Sequence, residues 1–168
     1  QKYKAAIITY KKLLKEQPGS EEWYFQLASA YLLDGQLRKA IEVYDDMEQY
    51  LGVDEILIMQ KHRIYLDLKD LRGAKSELEN WILSEPKNPK PYGLIAEMYL
   101  LEGNQEKAIE ALERILEIAP NNGKAHLTLS DLYRNNGEEE KAFKSLKIAF
   151  ASSGLSIDSK MRILITYY

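Results

Sequence analysis

The chain has 168 residues, of which 45% are hydrophobic and 29% charged, with a net charge of −3. That balance can bury a core, which excludes disorder, and its slight acidity argues against nucleic acid as a partner, since such binders carry a basic stripe. The chain has no cysteine, which excludes disulfides, zinc–thiolate sites and cysteine nucleophiles. No run of about 18 apolar residues is available to span a membrane.

Residues 1–16 carry Tyr3, Ala6, Ile7, Tyr10, Leu13 and Leu14 at helical spacing and predict one helix. Pro18-Gly19 stops it, because proline inside a helix costs about 3 kcal/mol. Gln1-Lys2-Tyr3-Lys4 leads straight into this helix with no apolar leader segment, and the expectation is that the chain starts inside a repeat, its native N-terminus missing. Ser20 is the expected cap of a helix through Trp23, Tyr24, Leu27, Ala28 and Tyr31, which turns at Asp34-Gly35. Its partner helix carries Leu37, Ala40, Ile41, Tyr44 and Met47 and closes near Gly52, with Asp54 as the next cap. The stretch 55–88 is the least regular: it opens on Ile56-Leu57-Ile58-Met59, and Lys69 stands where its neighbours have glycine. Its second helix runs through Leu71, Ala74, Leu78, Trp81 and Ile82 to Pro86. Asn88 and Pro89 open the following unit as cap and first helical residue. The next unit turns at Asn136-Gly137, and a last helix is expected from about Ile157 to Tyr168.

These elements recur with a period of 34: Tyr31, Tyr65, Tyr99, Tyr133 and Tyr167 form one series, and Ala6, Ala40, Ala74, Ala108 and Ala142 a second. The junctions at Pro18, Gly52, Pro86, Pro120 and Gly154 form a third. All five prolines fall at junctions or in first helical turns. A fixed period in this range marks a stacked helical array. The expected organisation is a single array: a truncated repeat over 1–20, repeats at 21–54, 55–88 (irregular), 89–122 and 123–156, and a truncated repeat over 157–168.

In spacing and residue types the chain resembles the tetratricopeptide repeat (TPR) family, whose unit is 34 residues in helix–turn–helix form. In 89–122 the family pattern falls on Tyr92, Ile95, Ala96, Tyr99, Gly103, Ala108 and Pro120. The resemblance implies an all-α fold, an α-solenoid of antiparallel helix pairs in a right-handed superhelix, about ten helices in all. Close approach of paired helices needs small side chains, here Ala28, Ala96 and Ser130 against Ala40, Ala108 and Ala142. His62 takes that small slot opposite Ala74 and is expected to splay the pair or turn its imidazole outward.

Little suggests an enzyme. His62 and His126 are far apart, with no HExxH or Cys/His spacing, so packing is the expected role of both and neither metal nor cofactor is expected. Glu138-Glu139-Glu140 begins a helix and suits its dipole. There is no phosphate loop and no GxSxG elbow.

In the family the first helix of each pair lines a concave groove. Carried onto this chain, groove position 5 holds Phe25, Met59, Gly93, Leu127 and Met161. Position 9 holds Ser29, Arg63, Glu97, Asp131 and Ile165, and position 12 holds Leu32, Leu66, Leu100, Arg134 and Tyr168. The candidate partner-binding set is therefore Phe25, Ser29, Met59, Arg63, Glu97, Leu127, Asp131 and Arg134, an apolar ribbon bordered by mixed charge that suits an extended peptide or an amphipathic helix. Phe25, Gln26 and Ser29 stand where some members clamp a C-terminal carboxylate, so that activity is not expected. Apolar residues at this spacing also fit plain packing between neighbouring helices.

Two functions remain open: a protein–protein interaction module or scaffold, and a structural spacer in a longer repeat protein. Solenoids need polar caps, and the apolar residues Met161, Ile163, Leu164, Ile165 and Tyr167 suggest end-to-end self-association. The compartment is not legible; members of the family are common in bacterial envelopes, which is an expectation at family level only.

Overall fold

The computed structural model describes residues 2–158, 160–161 and 165. Over them the chain forms α1 (Lys2–Glu16), α2 (Glu21–Leu33), α3 (Leu37–Leu51), α4 (Glu55–Asp67), α5 (Leu71–Ser84), α6 (Pro89–Leu101), α7 (Gln105–Ile118), α8 (Gly123–Asn135) and α9 (Glu139–Ala151). The expected last helix begins at Ile157, but Ile163, Leu164 and Tyr167, on which the self-association expectation leans, lie outside the described residues, as does Tyr168. Met161 and Ile165 are exposed.

The helices α4 to α8 start where polar side chains satisfy their first amide groups. Asp54 accepts from Leu57 N at 2.7 Å, Asp70 from Gly73 N at 3.0 Å, Asn88 from Lys90 N at 3.0 Å, Asn104 from Lys107 N at 3.1 Å and Asn122 from Ala125 N at 3.0 Å. Each such cap is worth about 1 kcal/mol. Ser20 occupies the cap position of α2 with extended backbone, yet its hydroxyl makes no cap bond. Its backbone carbonyl instead accepts from the amides of Trp23 and Tyr24.

Between paired helices the chain reverses through a left-handed residue, at Gly35, Gly103 and Gly137 with φ of 72°, 74° and 77°. In the irregular repeat Lys69 adopts the same conformation at φ 57° without the glycine that makes it easy.

The chain divides into two compact units, one reaching to Glu77 and one starting at Leu78. In the first, α1 packs on α2, α2 on α3 and α3 on α4. Ile7, Tyr24, Leu27, Ala28, Tyr31, Ile41, Tyr44, Met47, Leu57 and Ile64 form its buried core. In the second, α6 packs on α7, α7 on α8 and α8 on α9. The small residues expected at the pair contacts are all buried: Ala28 and Ala40 in one unit, Ala96, Ala108, Ser130 and Ala142 in the other.

Candidate functional site

The predicted groove residues sit on α2 and α4 in the first unit and on α6 and α8 in the second. On α2, Tyr24, Leu27 and Tyr31 are buried, while helical spacing turns Phe25 and Ser29 to the other side. Ser29, Met59 and Arg63 are exposed. Phe25 is half-buried and stands edge-on to Tyr44, with ring centroids 5.8 Å apart, so part of its surface belongs to the core. In the second unit Glu97 is exposed and paired with Lys124 at 3.0 Å. Asp131 and Arg134 form an ion pair at 3.4 Å beside a half-buried Leu127. These are charges with local partners, arranged around modest apolar surface.

A concavity of about 580 Å³ lies on the opposite side of α2. Its floor is Tyr24, Leu27 and Tyr31; Lys11, Leu14 and Lys15 of α1 and Lys39, Glu42, Asp46 and Tyr50 of α3 form its walls. No single-helix pattern reveals it, because it needs two second helices of successive repeats side by side.

Lys11 and Lys39 both approach the Tyr31 ring, with Nζ 5.6 Å and 5.7 Å from its centroid. The contact recurs with the period: Lys107 lies 5.5 Å from the Tyr99 ring and Lys141 5.2 Å from that of Tyr133. The tyrosine series is legible in the sequence, and so is its lysine companion at 39, 107 and 141. In the irregular repeat this lysine is Gly73, and a Cβ there would lie 2.3 Å from the Tyr65 ring. The glycine lets Tyr65 lie directly on the α5 backbone.

The same repeat holds a buried ion cluster. Lys61 Nζ contacts Asp45 at 2.7 Å, Glu48 at 3.1 Å and Glu77 at 3.1 Å, with its side chain 6% exposed. One period away in either direction, the Lys61 position is Leu27 or Ile95, and the Glu77 position is Val43 or Ala111. The Glu48 position is Leu14 or Ile82. Three core positions have thus become charged together. Burial opposes the Lys61 charge, but the hydrogen bond to Asp45, the charge and hydrogen bond of Glu77 and the hydrogen bond to Glu48 outweigh it and raise its pKa. Burial raises the Glu77 carboxyl against the pull of Lys61.

His62, beside this cluster, is buried rather than turned outward. Its Nδ1 lies 3.0 Å from the Ala74 carbonyl and donates to it, so the ring is held where the neighbouring repeats have alanine. His126 is also buried, with Nε2 2.9 Å from the Pro120 carbonyl. Among the described residues no three His, Cys, Asp or Glu side chains are grouped to hold a metal ion, and no helix is long and apolar enough to cross a membrane.

Sequence profiles described as tetratricopeptide repeat match residues 1–50 and 63–123, and a second such profile matches 99–148. The chain belongs to the tetratricopeptide repeat family. Solved structures agree on the fold. A crystal structure of MamA superposes with a TM-score of 0.65 at 24% identity, over 89% of this chain and 87% of that one. MamA 41-end from Desulfovibrio magneticus RS-1 superposes at 0.61 with 19% identity, over 89% and 84%. YrrB, a TPR protein with an unusual peptide-binding site, superposes at 0.59 with 15% identity, over 89% of this chain and 77% of that one. No curated protein matches the chain by sequence. As a TPR chain it has an all-α fold of repeated helix pairs, in which Lys61, His62 and Glu77 are departures at positions that the other repeats fill with small or apolar residues.

Proposed function

We propose that this TPR chain is a protein-interaction module that binds an extended peptide or an amphipathic helix along the outward sides of its first helices. In the first unit the contact set is Phe25, Ser29, Met59 and Arg63; in the second it is Glu97, Leu127, Asp131 and Arg134. The observation that carries this reading is the division of α2. One side is buried against its neighbours, and the other presents a partly exposed aromatic ring beside an exposed serine. An apolar anchor with a polar border is what peptide grooves use for affinity and register. YrrB, of the same fold, is a protein with a peptide-binding site, which favours a peptide over a small molecule.

Affinity purification from the source organism with the full-length protein tests it. Met59→Asp and Arg63→Glu each alter an exposed side chain, so folding is expected to stay intact by circular dichroism. Partner capture is expected to fall at least tenfold, since a central contact contributes about 1.4 kcal/mol or more. Capture at the wild-type level by both variants would remove the first-helix faces from the contact.

A further inference from the structure

The outward side of α4 differs from that of the other first helices, α2, α6 and α8. Ile56, Met59, Arg63 and Leu66 follow one another at helical spacing, which sets them in one stripe. All four are exposed, with Ile56 at 58%, while Leu57, Ile58 and Ile64 fill the buried side of the helix. One period away the position of Ile56 is Glu22, Lys90 or Lys124, a charge in each case. The apolar side chains at the other stripe positions, Phe25, Leu32, Leu100 and Leu127, are all half-buried. An exposed apolar stripe at positions that the other repeats keep charged or covered marks a contact surface. The charges differ too. Glu97 is paired with Lys124 and Asp131 with Arg134, whereas Arg63 has no ion partner among the described residues, Asp67 one turn on included.

We propose that this stripe seats an amphipathic helix of the partner, which lays apolar side chains over Ile56, Met59 and Leu66 and an acidic one against Arg63. The inference rests on the function proposed above and narrows its ligand from peptide or helix to an acidic amphipathic helix. Backbone chemistry chooses the helix. The stripe runs ten residues along α4, about 15 Å at 1.5 Å per residue, and an extended segment of that length has about five residues. Each residue brings an N–H and a C=O. Those facing the stripe would meet hydrocarbon and one guanidinium, with no oxygen to accept from any N–H, and such groups are costly to desolvate unpaired. A helix arrives with these groups already bonded within itself. Its side-chain rows also repeat every three or four residues, as the stripe does, so ridge meets groove. Charge chooses the acidic residue. An unpaired arginine between methionine and leucine gains a charge-assisted hydrogen bond from a carboxylate once the contact displaces water.

The probes are the capped, labelled peptide Leu-Ala-Gln-Glu-Ala-Gln-Ala-Leu-Ala-Gln-Leu-Ala-Gln-Ala and its reversed sequence, which repeat the spacing of the stripe for both helix directions. One control peptide has lysine for the glutamate, and a second has proline for a central alanine. Fluorescence anisotropy with the whole chain is expected to show saturable binding of one of the pair, with a gain in peptide helicity by circular dichroism. Both controls are expected to bind at least tenfold more weakly. Ile56→Glu and Arg63→Glu, both at exposed positions, are each expected to weaken binding at least tenfold, and the lysine peptide is expected to regain affinity for Arg63→Glu. No binding of either peptide, or equal binding of the lysine control, overturns the proposal. Equal binding of the proline control assigns the stripe to an extended segment instead. Wild-type binding by both variants removes the stripe from the contact, and self-association abolished by Ile56→Glu in light scattering gives it to a second copy of the chain. If partner capture still depends on Met59 and Arg63 beside any of these results, the helix inference alone fails; if that dependence is lost too, the proposed function fails with it.

Discussion

A lysine in a leucine position is tolerated only where its charge is met, because an unpaired buried ammonium costs several kcal/mol. Lys61 is met three times, by Asp45, Glu48 and Glu77. Lys61→Leu restores the residue type of Leu27 but strands Glu77 and Glu48, and we expect a loss of about 3 kcal/mol in chemical denaturation. The triple change Glu48→Leu, Lys61→Leu, Glu77→Val copies the other repeats and is expected to return stability to within about 1 kcal/mol of the wild type. A triple variant as unstable as the single one would show that the cluster does more than satisfy itself. The cluster was not legible in advance. His62 and Lys69 marked the repeat as irregular, but the carboxylates around Lys61 come from two other helices and acquire meaning only when α3, α4 and α5 meet. Tyr133 offers a second residue-level test. Burial, then its hydrogen bond to Glu113 and that residue's charge, push its hydroxyl from 10.0 up to about 12. A folded-state pKa raised in this way stabilises the fold fully below pH 10 and loses that contribution as pH climbs toward 12. The stability gap between wild type and Tyr133→Phe should therefore narrow across that window in pH-dependent unfolding; a constant gap would contradict the assignment.

At the scale of elements, helix ends were the most legible feature, because caps and turns are local chemistry. Asp54 and Asn88 cap as their positions predicted, whereas Ser20 holds the position without the bond. Lys69 was visible as a missing glycine, and its positive φ gives that oddity a cost. Lys69→Gly is expected to stabilise the protein by about 1 kcal/mol in thermal or denaturant unfolding; no gain would mean that the lysine makes compensating contacts. Gly73 works the other way. Gly73→Ala drives a methyl into the Tyr65 ring and should cost about 2 kcal/mol, where Gly19→Ala, in open space, is not subject to such a clash. Of the two outcomes expected for His62, the outward turn does not occur, for an element-level reason: the α5 backbone offers the Ala74 carbonyl at hydrogen-bond distance, so the imidazole is satisfied inside.

For the molecule as a whole, the period carried the family and the all-α fold, since a repeat imposes the same buried contacts wherever it recurs. The division into two units at Glu77 and Leu78 was not foreseen, although it falls inside the one repeat that had been marked irregular. Surfaces were less legible than cores: exposure depends on which helices lie side by side, and the back-face concavity between α1 and α3 left no signature in either helix alone. The central claim is that the outward sides of the first helices bind a protein partner. Site-specific photo-crosslinking in the source organism tests it most directly, with the reactive residue placed in turn at Ser29, Arg63 and Glu97, and at exposed Leu83 on a second helix as the control. The account predicts one protein adduct shared by the three first-helix positions, absent at Leu83 and lost when Met59→Asp is added. Adducts equal at Leu83, or none at the first-helix positions, would contradict it.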